Sequence, residues 1–308
     1  MIISASRRTD IPSYYSEWLY NRIKEKFVYV RNPFNTHQIS KINLDPELID
    51  CIVFWSKNPK PMIDNLDLLK NYKYYFQFTL TPYEQDVEAG LPSKFEIIET
   101  FKRLSDIIGP QKVIWRYDPI LINNKYNTAY HIDKFEKLAG ILKGYTEKVT
   151  ISFIDFYKKI TENIKFLEII EISTEEKNII AQKFSEIARN NNFSIDTCAE
   201  DIDLSQYGIT HARCIDDRLI SKITGNNFQI EKDKNQRLEC GCVRSIDIGE
   251  YNSCSNGCVY CYANYSDIVK KNMKKHISLS PLLIGDVCHV DIVKERKIVN
   301  EKVFQNEL

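Results

Sequence analysis

Cys254-Ser-Asn-Gly-Cys258-Val-Tyr-Cys261 brings three thiols into one short stretch with a C-x3-C-x2-C spacing. Three thiolates so close on one loop can converge on a single soft metal centre. Structural zinc closes with four ligands. A 4Fe–4S cube held by three cysteines instead leaves one iron open to a small molecule. Asn256 and Gly257 suit the tight chain reversal that wrapping a cube requires. A zinc knuckle borrowing a distant fourth ligand, or chance clustering, is the competing account. Cys198, Cys214, Cys240 and Cys242 lie close upstream and are candidates for a second, fully ligated centre. That centre would be an auxiliary iron–sulfur cluster or a zinc site. Otherwise Cys198 and Cys214 are small buried hydrophobes and Cys240 or Cys242 is a free redox thiol. Cys51 and Cys288 read as packing residues.

The elements that must position these thiols alternate. Short runs dense in Val, Ile, Phe, Tyr and Trp mark strands at 2–5, 51–55, 74–80, 112–116, 149–154 and 193–198, with a weaker one at 243–248. Ser93–Ile108 carries apolar residues near a 3.6 period and stops at Gly109-Pro110. Thr174–Asn190 follows Ser173 and has Glu176 at capping-box spacing. The repeated β-α order predicts a parallel α/β domain, either a barrel or a doubly wound sheet. Past the predicted strand ends stand Ser6-Arg7-Arg8-Thr9-Asp10, Ser56-Lys57-Asn58, Thr79, Arg116-Tyr117-Asp118, Asp155 and Glu200-Asp201. Carboxyl ends of parallel strands build active sites, although any one such residue could simply cap the next helix.

The chain of 308 residues holds 42 basic and 42 acidic side chains, a balance that excludes a histone-like polyanion binder and an acidic tail protein. No apolar stretch approaches the ~20 residues of a bilayer span, so no membrane partner is expected. The N-terminus turns polar too early for a secretory signal, so the protein is expected in the cytoplasm with reduced cysteines. Residues 1–285 read as one domain. Within it, 198–242 holds the candidate auxiliary cysteines and 243–272 a cluster-binding strand, loop and helix; 286–308 reads as a tail.

Cys254-Ser-Asn-Gly-Cys258-Val-Tyr-Cys261-Tyr-Ala-Asn is similar to the cluster loop of the radical S-adenosylmethionine (SAM) superfamily. Within it, the run resembles the branch of spore photoproduct lyase and its photolyase-like relatives. From Ile2 to about Gly285 the chain also resembles the family named domain of unknown function 1848 (DUF1848). The superfamily carries its cysteine loop after the first strand, whereas here the loop is near the C-terminus. The resemblance therefore implies a circularly permuted partial TIM barrel of about six to seven strands, with 243–248 in the first place and 2–5 in the second. In that order Thr9-Asp10-Ile11-Pro12, Trp55-Ser56-Lys57 and Phe78-Thr79-Leu80 with Glu88-Ala-Gly-Leu-Pro92 fall where the photolyase-like branch has its matching segments.

The resemblance implies a 4Fe–4S cluster on Cys254, Cys258 and Cys261 that reductively cleaves SAM to a 5′-deoxyadenosyl radical, fed by an electron donor such as flavodoxin or ferredoxin. Lys57 is then the candidate for the methionyl carboxylate, Ser6, Thr9 and Asp10 for the amine or ribose hydroxyls, and Tyr262 for the adenine. Thr79, at the same strand-end level, is a further candidate for binding the cofactor. Arg116 and Asp118 are candidates for catalysis on the substrate, or form an internal ion pair supporting the sheet. Arg7, Arg8, Arg31 and Lys57 could make a phosphate-binding mouth, with Tyr14, Tyr15 and Trp18 stacking a nucleobase of a nucleic acid. Their helical spacing favours a buried helix face instead. The Gly-Gly-Glu amine-binding segment of the superfamily is absent, as in the photolyase-like branch. The lyase's hydrogen-donor cysteine has Ala5-Ser6 in its place, so thymine-dimer repair is not implied. A non-catalytic iron–sulfur or zinc protein, and a metal-independent α/β enzyme, are the alternatives.

Overall fold

The structure is a computed structural model that describes residues 1–156, 160–299 and 302–303. Its strands are β1 (Ile2–Ala5), β2 (Phe27–Arg31), β3 (Gln38–Asn43), β4 (Cys51–Ser56), β5 (Tyr74–Thr79), β6 (Val113–Ile120), β7 (Lys148–Phe153), β8 (Ser194–Thr197), β9 (Thr210–His211), β10 (Asn227–Phe228), β11 (Ile246–Asp247), β12 (Ile292–Glu295) and β13 (Lys302–Val303). Its α-helices are α1 (Ile11–Tyr14), α2 (Ser16–Glu25), α3 (Lys60–Ile63), α4 (Lys94–Ile108), α5 (Thr128–Leu142), α6 (Thr161–Ile164), α7 (Thr174–Asn190), α8 (Asp217–Thr224) and α9 (Ser266–Met273).

Eight strands form one parallel sheet in the order β11-β1-β4-β5-β6-β7-β8-β9. The sheet is open, with β11 and β9 at its edges. The α/β expectation therefore holds, and the seven predicted strands all pair within this sheet; the eighth, β9, is too short to leave a periodic signal. The central predicted strand runs on past Arg116 to Ile120, so Arg116 and Asp118 lie inside β6 rather than beyond it. β11 pairs in parallel with β1, Ile3 opposite Ile246 and Ser4 opposite Asp247. The last strand before the cysteine loop thus lies beside the first strand of the chain.

Alternation along the strands divides the core in two. Ile3, Ala5, Phe54, Phe76, Phe78 and Trp115 pack with apolar residues of α1 to α5 and α7. Ile2, Cys51, Val53, Tyr75 and Ile114 point the other way, onto Ile220 of α8 and onto Cys214, Cys240, Cys242 and Val243. Phe135 of α5 stacks on Phe184 of α7 at 3.8 Å, and Trp115 stacks on Phe135 at 5.0 Å. A doubly wound sheet would carry helices on both faces; here the main helices share one. Ser93 caps α4 by accepting from the Glu96 amide, and Gly109 at φ +92° ends it. The Ser173–Glu176 capping box opens α7 as its spacing predicts.

A smaller sheet, β12-β3-β2, joins a hairpin of β2 and β3 to a parallel β12. The segment read as a tail thus contributes a strand, and Cys288 beside it is exposed rather than packed. No helix among the described residues is long and apolar enough to cross a membrane.

Candidate metal centre

The cysteine loop is laid across the carboxyl ends of β1, β4 and β5 by side chains that come from all three. Asp10 caps α1 through Ser13 N (3.0 Å) and uses its other oxygen to accept from Lys57 N (2.8 Å) and Asn256 Nδ2 (3.0 Å). Tyr14 donates to Asn256 Oδ1 (2.8 Å) and Tyr15 to the Ser253 carbonyl (2.5 Å). Behind the loop, Asn264 Oδ1 accepts from the amides of Ser253 and Cys254, and Asn264 Nδ2 donates to Cys261 Sγ (3.3 Å). From β5 onward, Glu88 bridges to Cys258 and the Gly90 amide donates to Asn256 O (2.9 Å). Gly90 is required there, because a Cβ would stand 2.3 Å from Ser255 O. Gly257 turns at φ +65°.

One buried carboxylate organises the floor. Glu88 accepts from Lys57 Nζ (2.7 Å), Lys94 Nζ (2.5 Å), Thr81 Oγ1 (2.7 Å) and the Tyr260 hydroxyl. Burial pushes its pKa up, but Lys57 and Lys94 outweigh that and hold it at about 2. Lys57 is opposed by burial too; Glu88 and the Cys258 sulfur reverse the sign and leave its pKa raised. Two ammonium groups share one carboxylate, so the pocket keeps a surplus positive charge beside Cys258. Burial lifts the Cys258 thiol to about 12, with Lys57 pulling the other way, and raises the Cys254 thiol as well. Both therefore carry protons until a metal displaces them.

Asp247 of β11 locks the end of β1 by accepting from Ser4 Oγ (3.0 Å), Ser6 Oγ (2.7 Å) and Arg7 N (2.8 Å). Ser6 and Asp10 are thus occupied by the protein itself. Thr9 Oγ1, Arg7 Nη2, Trp55 Nε1 and Asn58 Oδ1 are buried without a hydrogen-bond partner, all just past β1 or at the end of β4. Tyr262 is exposed and donates to the Arg7 carbonyl (3.3 Å). Thr79 ends β5 opposite Arg116. Arg116 pairs with Asp118, lies over the Trp55 ring at 5.1 Å and donates from Nη1 to Cys214 Sγ (2.8 Å). Burial would raise the Asp118 carboxyl, but Arg116 and the Ser152 hydroxyl hold it lowered.

The mouth of Arg7, Arg8, Arg31 and Lys57 does not assemble. Arg31 sits on β2 with both terminal nitrogens on Asp291 (2.8 and 3.0 Å), Arg8 lies over Tyr251, and Lys57 is taken by Glu88. Tyr15 and Trp18 are fully buried, the helix-face alternative that their spacing favours. Sequence reasoning passed over Glu88 as a site residue, along with Asn256, Asp247 and Tyr260; only the Glu88-x-x-x-Pro92 match pointed toward the first of them.

The second cysteine set gathers against the opposite face of the sheet. Cys198 Sγ and Cys214 Sγ are 3.4 Å apart. The thiols of Cys214 and Cys242, and of Cys242 and Cys240, also interact. Among the described residues no three or more His, Cys, Asp or Glu side chains already stand in an arrangement that holds a metal ion. For a cluster on the Cys254 loop the fit rests on chemistry and surroundings. Three soft donors share one loop, the cationic Lys57 stands beside Cys258, and unpartnered polar atoms line the neighbouring strand ends. Those residues suit a thiolate-bound cluster with an open side.

An open parallel α/β sheet whose carboxyl edge carries a three-cysteine loop defines the class of protein. The chain belongs to the family Domain of unknown function (DUF1848), whose model matches residues 2–263. No curated protein matches the chain.

Proposed function

We propose that the protein is a radical SAM-type enzyme built on a permuted partial barrel. The observation that carries the reading is the pairing of β11 with β1. It brings the Cys254 loop to the carboxyl edge of the sheet beside Thr9, Lys57 and Glu88, the place that the permuted order requires. Helices restricted to one face, with the sheet's inner face turned to the second cysteine set, also favour a barrel-like wall over a doubly wound sheet.

In this reading Cys254, Cys258 and Cys261 hold a 4Fe–4S cluster, which when bound and reduced supplies the electron that cleaves SAM to a 5′-deoxyadenosyl radical. The chain's own residues bind and orient. The surplus charge of Lys57 and Lys94 over Glu88 attracts the methionyl carboxylate, with Lys57 the nearer to Cys258. Thr9 Oγ1 and Asn58 Oδ1 are preformed partners for the amine or ribose hydroxyls, because a buried polar atom gains most when a ligand supplies its missing bond. Tyr262 offers a ring face to adenine at the mouth. Asp10 and Asn256 keep the loop in register with β4 rather than touching ligand. Arg116 and Asp118, with Ser152, form the polar wall on the β6–β7 side where a substrate would meet the radical. Lys270, Lys271, Lys274 and Lys275 are exposed directly after the loop, beside exposed Tyr265 and Ile268, which suits an acidic electron donor such as flavodoxin or ferredoxin.

Anaerobic reconstitution tests the proposal. The expected result is about four irons bound through the Cys254 loop and dithionite-dependent release of 5′-deoxyadenosine from SAM. Cys258→Ala should abolish the release while the circular dichroism spectrum is retained, since the strands rather than the loop carry the core. A chain that takes up no iron and releases no 5′-deoxyadenosine overturns it.

A further inference from the structure

We propose that Cys198, Cys214, Cys240 and Cys242 form a mononuclear tetrathiolate site that binds a zinc ion on the inner face of the sheet, separate from the Cys254 loop. The four thiols come from three stretches of chain. Cys198 follows β8, Cys214 follows β9, and Cys240-Gly-Cys242 lies in the loop before β11. Cys198 and Cys214 approach within 3.4 Å, and Cys242 lies within electrostatic reach of both Cys214 and Cys240. With metal–sulfur bonds of about 2.3 Å, a tetrahedron has sulfur–sulfur edges of about 3.8 Å. The 3.4 Å between Cys198 and Cys214 is close to such an edge. A cube would seat each thiolate on a different iron and drive the sulfurs well apart, so the spacing favours one ion.

A guanidinium and a backbone amide are turned toward the sulfurs. Arg116 is buried yet aims Nη1 at Cys214 Sγ (2.8 Å), and the Ile215 amide donates to Cys242 Sγ (3.4 Å). Hydrogen bonds of this kind orient and stabilise metal-bound ligands. Burying a guanidinium against a neutral S–H gains little, whereas against a thiolate it gains a charge-assisted bond. Four thiolates and one divalent ion sum to −2, and Arg7 and Arg116, both within electrostatic reach of the cysteines, offset part of that charge, Arg116 being shared with Asp118. The ligand backbones are held as well. Tyr75 Oη (2.7 Å) and Gln77 Nε2 (2.8 Å) both donate to the Cys214 carbonyl, and the Cys198 amide bonds Ile151 O (2.8 Å). Gly241 lets Cys240 and Cys242 pass against the Ala212–Cys214 stretch, where a Cβ would lie 2.9 Å from Ala212 O. Closing the line of thiols around one point then takes side-chain rotation; the thiol protons leave to solvent, and no oxidant or reductant takes part.

The test separates this site from the Cys254 loop. A chain carrying Cys254→Ala, Cys258→Ala and Cys261→Ala is purified without oxygen and its metals are measured. The expected result is about one zinc per chain and no bound iron. Cobalt(II) in place of zinc should give the intense sulfur-to-metal charge-transfer absorption of a tetrahedral tetrathiolate. Adding Cys214→Ser should strip the zinc and dim the cobalt band, while Cys51→Ser and Cys288→Ser leave both unchanged. Should Cys214→Ser fail to fold, the cobalt spectrum of the folded triple variant decides alone. A triple variant that holds no zinc and gives no cobalt–thiolate band, or one that retains iron and sulfide, overturns the proposal and leaves the reading of the Cys254 loop untouched.

Discussion

Replacing Glu88 by Gln keeps the shape of the side chain and removes the one negative charge that two lysines share. The carboxylate is 1 % exposed and lies on Lys57 Nζ and Lys94 Nζ, with Thr81 and Tyr260 filling its remaining acceptor sites. Its pKa is lowered from 4.5 to about 2, burial working against the lysines and losing. A carboxyl so displaced contributes about 3 kcal/mol to folding. The same order follows from breaking a buried ion pair by removing one partner, which costs about 3–5 kcal/mol. Because the folded pKa is depressed, the contribution is complete above the unfolded value and fades as pH falls toward 2. Near neutral pH the variant should lose about 3 kcal/mol in urea unfolding followed by tryptophan fluorescence. For a chain of this size that is a fall of about 5 °C in Tm. On acidification the gap between native protein and Glu88→Gln should narrow, since a protonated Glu88 resembles the amide. Lys94, 28 % exposed at its side chain, can turn to water; Lys57 at 11 % cannot, so the loss concentrates beside Cys258. A variant within about 1 kcal/mol of the native chain, or a gap that does not change with pH, would refute this account of the pocket.

Two further outcomes are expected. Gly90→Ala places a Cβ against Ser255 O and must push the cysteine loop off the Glu88 segment; iron uptake by the loop should drop while the urea midpoint moves little, and normal uptake would count against the docking. Glu200 is buried and its pKa is raised to about 7, with the Phe153 amide at 2.8 Å opposing burial only in part. A raised carboxyl loses stability as pH climbs from the unfolded value through the folded one, so Glu200→Gln should be the more stable chain above about pH 7, by at most about 3 kcal/mol, and should match the native chain below about pH 4.5. Equal stabilities across that range, read by urea titration, would show that Glu200 is solvated.

What could be read from the residues follows the range of the interactions. The strands of the main sheet announce themselves because both faces are buried, giving continuous apolar runs such as Cys51–Trp55 and β-branched, aromatic-rich runs such as Val149–Phe153. Helices α4 and α7 announce their ends through Ser93 with Gly109 and through the Ser173–Glu176 box, since caps are local chemistry. The cysteine loop is legible for the same reason. The smaller sheet is not, because β12 joins β3 from some 250 positions away and nothing near Ile292 records its partner. Two-residue β9 and β11 are held by their neighbours rather than by their own propensity.

The floor of the site was hidden by a related cause. Lys57 looks in the sequence like a cation free for a ligand, and only folding sets Glu88 against it and brings Lys94 to the same carboxylate. Arg116 was legible as a strand-end charge, but both readings of it, substrate contact and ion pair, left out the sulfur it donates to. Cys214 lies 98 positions away, and its approach depends on the stretch from Ala212 to Val243 folding back over the apolar face of Ile2, Val53 and Tyr75. That face would otherwise be wet. Covering it with a segment this rich in cysteine, and placing two guanidiniums among the thiols, makes sense physically once the sulfurs carry negative charge, because a guanidinium gains a charge-assisted bond only from an ionised sulfur.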